Sequence, residues 1–293
     1  MKRACLATAA LLGLLAPGCR RDAGGPDAGR SDPLADSRAM VNERRFDEAI
    51  ARLGEGTDAE SLYLLGRAWA GKAEAAPVPT PLPGSPATAG PPLKAEEARA
   101  LAFFERAVAA RPEHAGAHLA IAELLAPHAL ASRGGTAPAG GGVTVDRVIR
   151  AFGDAMQADP GGTAAAEAMI AFATRAGRVA DADAAFQELI RRRREDPDLL
   201  VRYGDFLAGP GGNAEGALAQ YGQVLIWRPD DAATRVKMAD IQLAAVSALL
   251  SRQQYATAEA RLREARKFVT DPASPQAARV RELEARVAEI RGR

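Results

Sequence analysis

The chain has 293 residues, and 38 Lys+Arg against 37 Asp+Glu leave a formal net charge of +1. That balance argues against a nucleic-acid binder, which carries a basic excess. Aromatic residues make up only 5%, too few for a β-sandwich or barrel, while the abundant Ala, Leu, Glu and Arg are helix formers.

Met1-Lys2-Arg3 is a short basic start, followed by an uncharged run from Ala4 to Pro17 and then Gly18-Cys19. The run falls short of the roughly 20 residues that a membrane span needs. A charged start, a short apolar core and small residues before a cut are the parts of a secretory signal. With Cys19 after Gly18 the segment resembles a bacterial lipoprotein signal, although Ala16 stands where that family usually has Leu. The resemblance implies a signal peptide over 1–18 and lipid on Cys19. Arg20 in the next position, where Asp would retain the chain, implies the periplasmic face of the outer membrane. Cys5 leaves with the signal, so the mature chain is expected to have no intramolecular disulfide and no cysteine metal site. Residues 19–33, rich in Gly, Asp and Pro, have the composition of a flexible tether.

The body from 34 to 272 repeats itself. A small residue, three spacers, a bulky apolar residue, two spacers, a small or apolar residue and then Pro recur with one spacing. The three copies are Ala100, Phe104, Ala107, Pro112; then Val148, Phe152, Ala155, Pro160; then Ala217, Tyr221, Val224, Pro229. Looser copies are Ala182, Phe186, Leu189, Pro197 and Ala258, Leu262, Ala265, Pro272, and Ala49 and Leu53 make a truncated one. Residues four and seven apart share a helix face, so each triplet predicts an apolar stripe on a helix that the Pro then ends. A second pattern precedes these: Leu62, Leu65, Gly66, Trp69 and Leu200, Tyr203, Gly204, Leu207. Weaker forms are His118, Ile121, Ala122, Leu125, then Ala166, Met169, Ile170, Ala173, and Met238 with Ala239. Large and small neighbours on one face let a partner helix close in.

Together the two patterns resemble the tetratricopeptide repeat. The resemblance implies an all-α solenoid of about six helix pairs, near 34–54, 59–112, 115–160, 163–194, 197–229 and 232–270. A capping helix over 273–293 follows, striped by Val280, Leu283, Val287 and Ile290. From Pro112 through Pro160, Pro197 and Pro229 to Pro272 the steps are 48, 37, 32 and 43 residues, longer than the regular repeat in three of four cases. Pro- and Gly-rich inserted loops at 74–94 and 126–142 account for part of the excess. They are expected on one edge of the stack. A first helix extended to Leu250 accounts for more.

Little in the chain suggests chemistry. His114 and His118 are four apart, as metal ligands on a helix could be, yet no Cys or intervening Glu completes a motif, and His128 is the only other His. Gly140-Gly141-Gly142 lacks the Lys-Ser/Thr of a phosphate loop and reads as a turn, as does Gly209 to Gly212. Arg191 to Arg194 reads as a solvated helix end, with an anion-contact patch as the lesser alternative. There is no G-x-S-x-G. The expectation is no catalysis, no cofactor, no metal, no nucleic acid and no small-molecule substrate. The family resemblance instead implies a protein or peptide partner along the concave face, at Tyr63, Arg67, Glu123, Glu167, Arg175, Asp205 and Asp240. The only asparagines, Asn42 and Asn213, are not placed as in the family's clamp for C-terminal carboxylates. The expected role is a lipid-anchored envelope scaffold that assists assembly or localisation of an envelope complex. The alternative is a self-associating structural envelope protein without a dedicated client.

Overall fold

A computed structural model describes residues 34–75, 93–132 and 143–291. The expected signal, Cys19 and tether, the bulk of both inserted loops and the Gly140 to Gly142 run lie outside these residues. Among the described residues there are thirteen helices and no strand. They pair in chain order as α1 (Ala35–Asn42) with α2 (Phe46–Leu53), α3 (Ala59–Ala75) with α4 (Ala95–Ala110), and α5 (Ala115–Ala131) with α6 (Val145–Ala158). Then come α7 (Ala164–Ala176) with α8 (Val179–Arg192), α9 (Pro197–Ala208) with α10 (Ala214–Trp227), and α11 (Ala232–Ser251) with α12 (Tyr255–Phe268). The last helix, α13 (Pro275–Arg291), stands alone. Side chains that accept a first-turn N–H start several of these helices: Asp58 from Ser61 at 2.9 Å, Asp196 from Leu199 at 3.0 Å and Asp231 from Thr234 at 3.0 Å. The Ser61 hydroxyl and then its N–H hold the Asp58 carboxyl below the usual carboxylate range, and the Thr234 N–H does the same for Asp231.

All five complete triplets are buried. In two pairs the bulky residue lies over the glycine of the preceding helix. A Cβ on Gly66 would come within 2.5 Å of the Phe104 ring, and one on Gly204 within 2.4 Å of the Tyr221 ring. The rings can close in because those positions have no side chain. Gly204→Ala should therefore cost about 1–3 kcal/mol, since the Tyr221 ring is fully enclosed and cannot yield. Gly222→Ala, where a Cβ meets nothing within 4 Å, should instead gain up to about 1 kcal/mol from helix propensity. Urea midpoints of the two variants check this pair of signs.

Each second helix also packs on the first helix of the next pair. Aromatic residues make two of these joints, Phe152 with Phe172 at 5.9 Å between ring centroids, and Phe186 with Tyr203 and Phe206 at 5.1 and 5.2 Å. Successive first helices touch along α1, α3, α5 and α7, so these helices line the inner side of the curve. The architecture is an all-α solenoid of stacked helix pairs. Its larger core runs from α4 to Met238 on α11, with Ile241 and Phe268 packed against it, and Leu243, Val246, Leu250, Leu262, Val280, Leu283 and Val287 form a second one within α11 to α13. Away from that core α13 carries Glu282, Arg286 and Glu289, all exposed, which suits the outer face of an end cap.

Three features differ from the sequence reading. The insert assigned to 126–142 begins later, because α5 runs through Pro127 to Ala131. Pro127 forfeits one helix bond, and the extra turn offsets this by burying Ala129 and bringing His128 Nε2 to 3.2 Å from Glu97. Likewise α3 continues to Ala75, past the start assigned to the first insert. The arginine run is not a uniform solvated end. Arg192 is largely buried and donates to the Met156 carbonyl at 3.2 Å, the Asp159 carbonyl at 3.3 Å and the Gly162 carbonyl. It thereby ties the turn after α6 to the end of α8. Arg193 meets Glu167 at 3.1 Å and Thr163 at 2.7 Å. Arg192→Met should cost about 1–3 kcal/mol in urea unfolding, whereas Arg191→Met, at a largely exposed residue, should change little.

Candidate functional site

The inner faces of α1, α3 and α5 enclose a cleft of about 660 Å³, with the start of α4 closing one end. It exists because the sequence places small residues there. Ala70 and Gly71 on α3, and Gly116 and Ala120 on α5, leave a floor completed by Phe104, Leu119 and Leu124. Gly71 is required in a further sense, since a Cβ there would come within 2.2 Å of the Phe46 ring.

Polar groups rim this floor. Arg44 pairs with Glu74 at 3.3 Å. Lys94 Nζ donates to the Ala73 carbonyl at 2.9 Å, and the Lys94 backbone N–H donates to Glu97 at 2.7 Å. Arg67 is half-buried, lies 6.0 Å from the Tyr63 ring centroid and donates to Asn42 Oδ1 at 3.3 Å. Burial raises the Tyr63 hydroxyl pKa, keeping it a neutral donor. The Glu123 carboxyl is also raised, first by desolvation in the cleft and against the pull of Arg67.

A carboxyl whose pKa rises on folding weakens the native state where it must ionise. Its cost is absent below the unfolded value near 4.5, grows as the pH climbs to the raised folded value, and stays constant above. Glu123→Gln should therefore raise the thermal midpoint at neutral pH, and the gain should vanish on acidification below 4.5.

The structure brings together Tyr63, Arg67 and Glu123 of the sequence candidates and separates the rest. Glu167 is taken by Arg193 at 3.1 Å and Arg202 at 2.9 Å. Asp205 accepts from Tyr221 at 2.6 Å and from Lys237 at 2.6 Å. Asp240 accepts from Gln276 at 2.9 Å, beside a smaller cavity of about 340 Å³ between α11 and α13. Arg175 is exposed at the end of α7, away from both cavities. Asn42, Arg44, Lys94, Glu97 and His128 belong to the cleft and were not among the candidates. The run of small residues at 70, 71, 116 and 120 was the available signal.

The histidines hold structure. His114 Nδ1 accepts from Ala117 N–H at 3.2 Å and so starts α5. His118 Nε2 bonds the Pro112 carbonyl at 2.7 Å. No group of three His, Cys, Asp or Glu that could hold a metal occurs among the described residues, and none of their helices is long and apolar enough to cross a membrane. Asn213 caps α10 through Gly216 N–H at 2.9 Å.

No protein-family model and no curated protein matches the chain. Solved structures similar to it include a tetratricopeptide repeat protein from Parabacteroides merdae, 11% identical, with a TM-score of 0.43 over 88% of this chain and 85% of that one. MamA from Desulfovibrio magneticus is 16% identical, with a TM-score of 0.41 over 69% and 99%. YrrB, described as a TPR protein with an unusual peptide-binding site, is 15% identical, with a TM-score of 0.42 over 81% and 97%.

Proposed function

We propose that the chain is a non-catalytic protein-interaction scaffold whose partner segment lies in the cleft of α1, α3 and α5. The observation that carries this reading is the pair Arg67 and Glu123, two charges directed to a cleft with an apolar floor, whereas Glu167, Asp205 and Asp240 are bound to neighbouring side chains. A partly apolar cleft with a few polar groups is what a bound segment needs for both affinity and orientation. The Gly18-Cys19 junction and the signal-like segment before it support lipid anchoring at the envelope, on the periplasmic face of the outer membrane. There the tether raises the local concentration for an envelope complex whose assembly or localisation the chain assists.

The test pairs two variants. Ala120→Trp fills the floor of the cleft and should abolish partner capture from the membrane fraction while helicity is kept. Cys19→Ser should release the chain from membranes without altering affinity for the partner. Undiminished capture by a folded Ala120→Trp chain would contradict the cleft as the site.

A further inference from the structure

We infer that the cleft selects an extended peptide carrying one acidic and one basic side chain two residues apart, the acid meeting Arg67 and the base meeting Glu123. The inference rests on the scaffold reading above. It starts from which charges in the cleft are already satisfied. Arg44 and Glu74 hold each other at 3.3 Å. The Lys94 ammonium is bound to the Ala73 carbonyl, and Glu97 accepts the Lys94 N–H and faces His128 at 3.2 Å. Arg67 and Glu123 differ. Among the described residues Arg67 reaches the Asn42 amide oxygen at 3.3 Å and the Tyr63 hydroxyl, and it pairs with no carboxylate. A guanidinium has five N–H donors in a fork that suits a carboxylate, so most of its capacity is open. The Glu123 carboxylate, an acceptor only, accepts no hydrogen bond from any described residue. The two feel each other electrostatically and do not form an ion pair.

Their places explain the gap and fix the spacing of a ligand. Arg67 follows Gly66 on α3, and Glu123 follows Ala122 on α5, equivalent positions of successive pairs. Packed helix axes stand about 8–10 Å apart, and an extended peptide rises about 3.3 Å per residue with alternate side chains on one side. Residues i and i+2 of a segment crossing from α3 to α5 stand about 6.6 Å apart on one side, and the long side chains of Arg67 and Glu123 lean inward to meet both. Residue i+1 points the other way, and aliphatic stems lie on Ala70, Leu119 and Ala120. Pro127 adds an acceptor for such a backbone, because it has no N–H to give the Glu123 carbonyl one turn back. A polyanion or a lone carboxylate terminus would satisfy Arg67 and set its charge against Glu123, so a ligand bearing both signs fits best.

Fluorescence anisotropy of labelled short peptides tests this on the purified chain. The probes hold an aspartate, a leucine and a lysine in either order, with asparagine or glutamine replacing one charge or both. Wild type should bind one doubly charged peptide about tenfold more tightly than either singly charged form, the gain typical of a charge-assisted bond. Arg67→Gln should erase the benefit of the aspartate alone, and Glu123→Gln that of the lysine alone, with unchanged helicity in both. Peptides that compete for the cleft regardless of charge would overturn the charge assignment and leave the scaffold reading standing. Loss of all peptide binding, together with a partner still captured by Ala120→Trp, would overturn both.

Discussion

Phe104→Ala is expected to cost about 3–5 kcal/mol of folding free energy, and partner capture should fall with it. Phe104 is 2% exposed, lies over Gly66 and stands 6.0 Å from Tyr63 between ring centroids. Removing its ring opens a cavity between α3 and α4 that no side chain can fill, because Gly66 has none. The same ring forms part of the cleft floor, so the damage reaches the site. In a solenoid each unit is held by its neighbours alone. The first three pairs should therefore loosen while α9 to α13 keep their protection, and hydrogen exchange measured helix by helix distinguishes this from uniform loss.

The second large effect lies at the other end. Leu283 is 1% exposed and joins α13 to the core of α11 and α12. Leu283→Ala should cost about 2–5 kcal/mol in local stability. Arg286→Ala, one turn along on the exposed side, should stay within about 0.5 kcal/mol. Because Leu283 lies in the smaller core of α11 to α13, distinct from the larger one that reaches α11 at Met238, denaturation of Leu283→Ala followed by circular dichroism should show an early step belonging to these three helices. A single cooperative transition, shifted as a whole, would show that the two cores unfold as one.

The second helices were legible because their signal is local. Ala100, Phe104 and Ala107 repeat at the helical spacing that also buries them, and the Pro after each marks its end. The α13 stripe was legible for the same reason, down to Leu283 and Val287. The cleft was not. Its floor is shared by three helices far apart in sequence, and its size depends on side chains that are missing at Gly71, Gly116 and Ala120 rather than on a motif. Helical periodicity placed Asp205 on the inner face, but it could not show that Lys237, 32 residues on, would pair with it. Arg192 reads as part of a solvated helix end because its backbone-carbonyl partners are announced by no residue type. Pro127 looked like a boundary because a proline is costly inside a helix, and the burial of Ala129 outweighs that cost.

Site-specific photocrosslinking along the inner face tests the central claim most directly. A photoreactive residue would be placed in turn at Ala120 in the cleft, at Val201 on α9 and at Val236 on α11, in the full chain in the cells that make it. The account predicts that one protein partner is crosslinked from Ala120 and not from Val201 or Val236. Crosslinking from Val236 with none from Ala120, or equal labelling from all three, would contradict it.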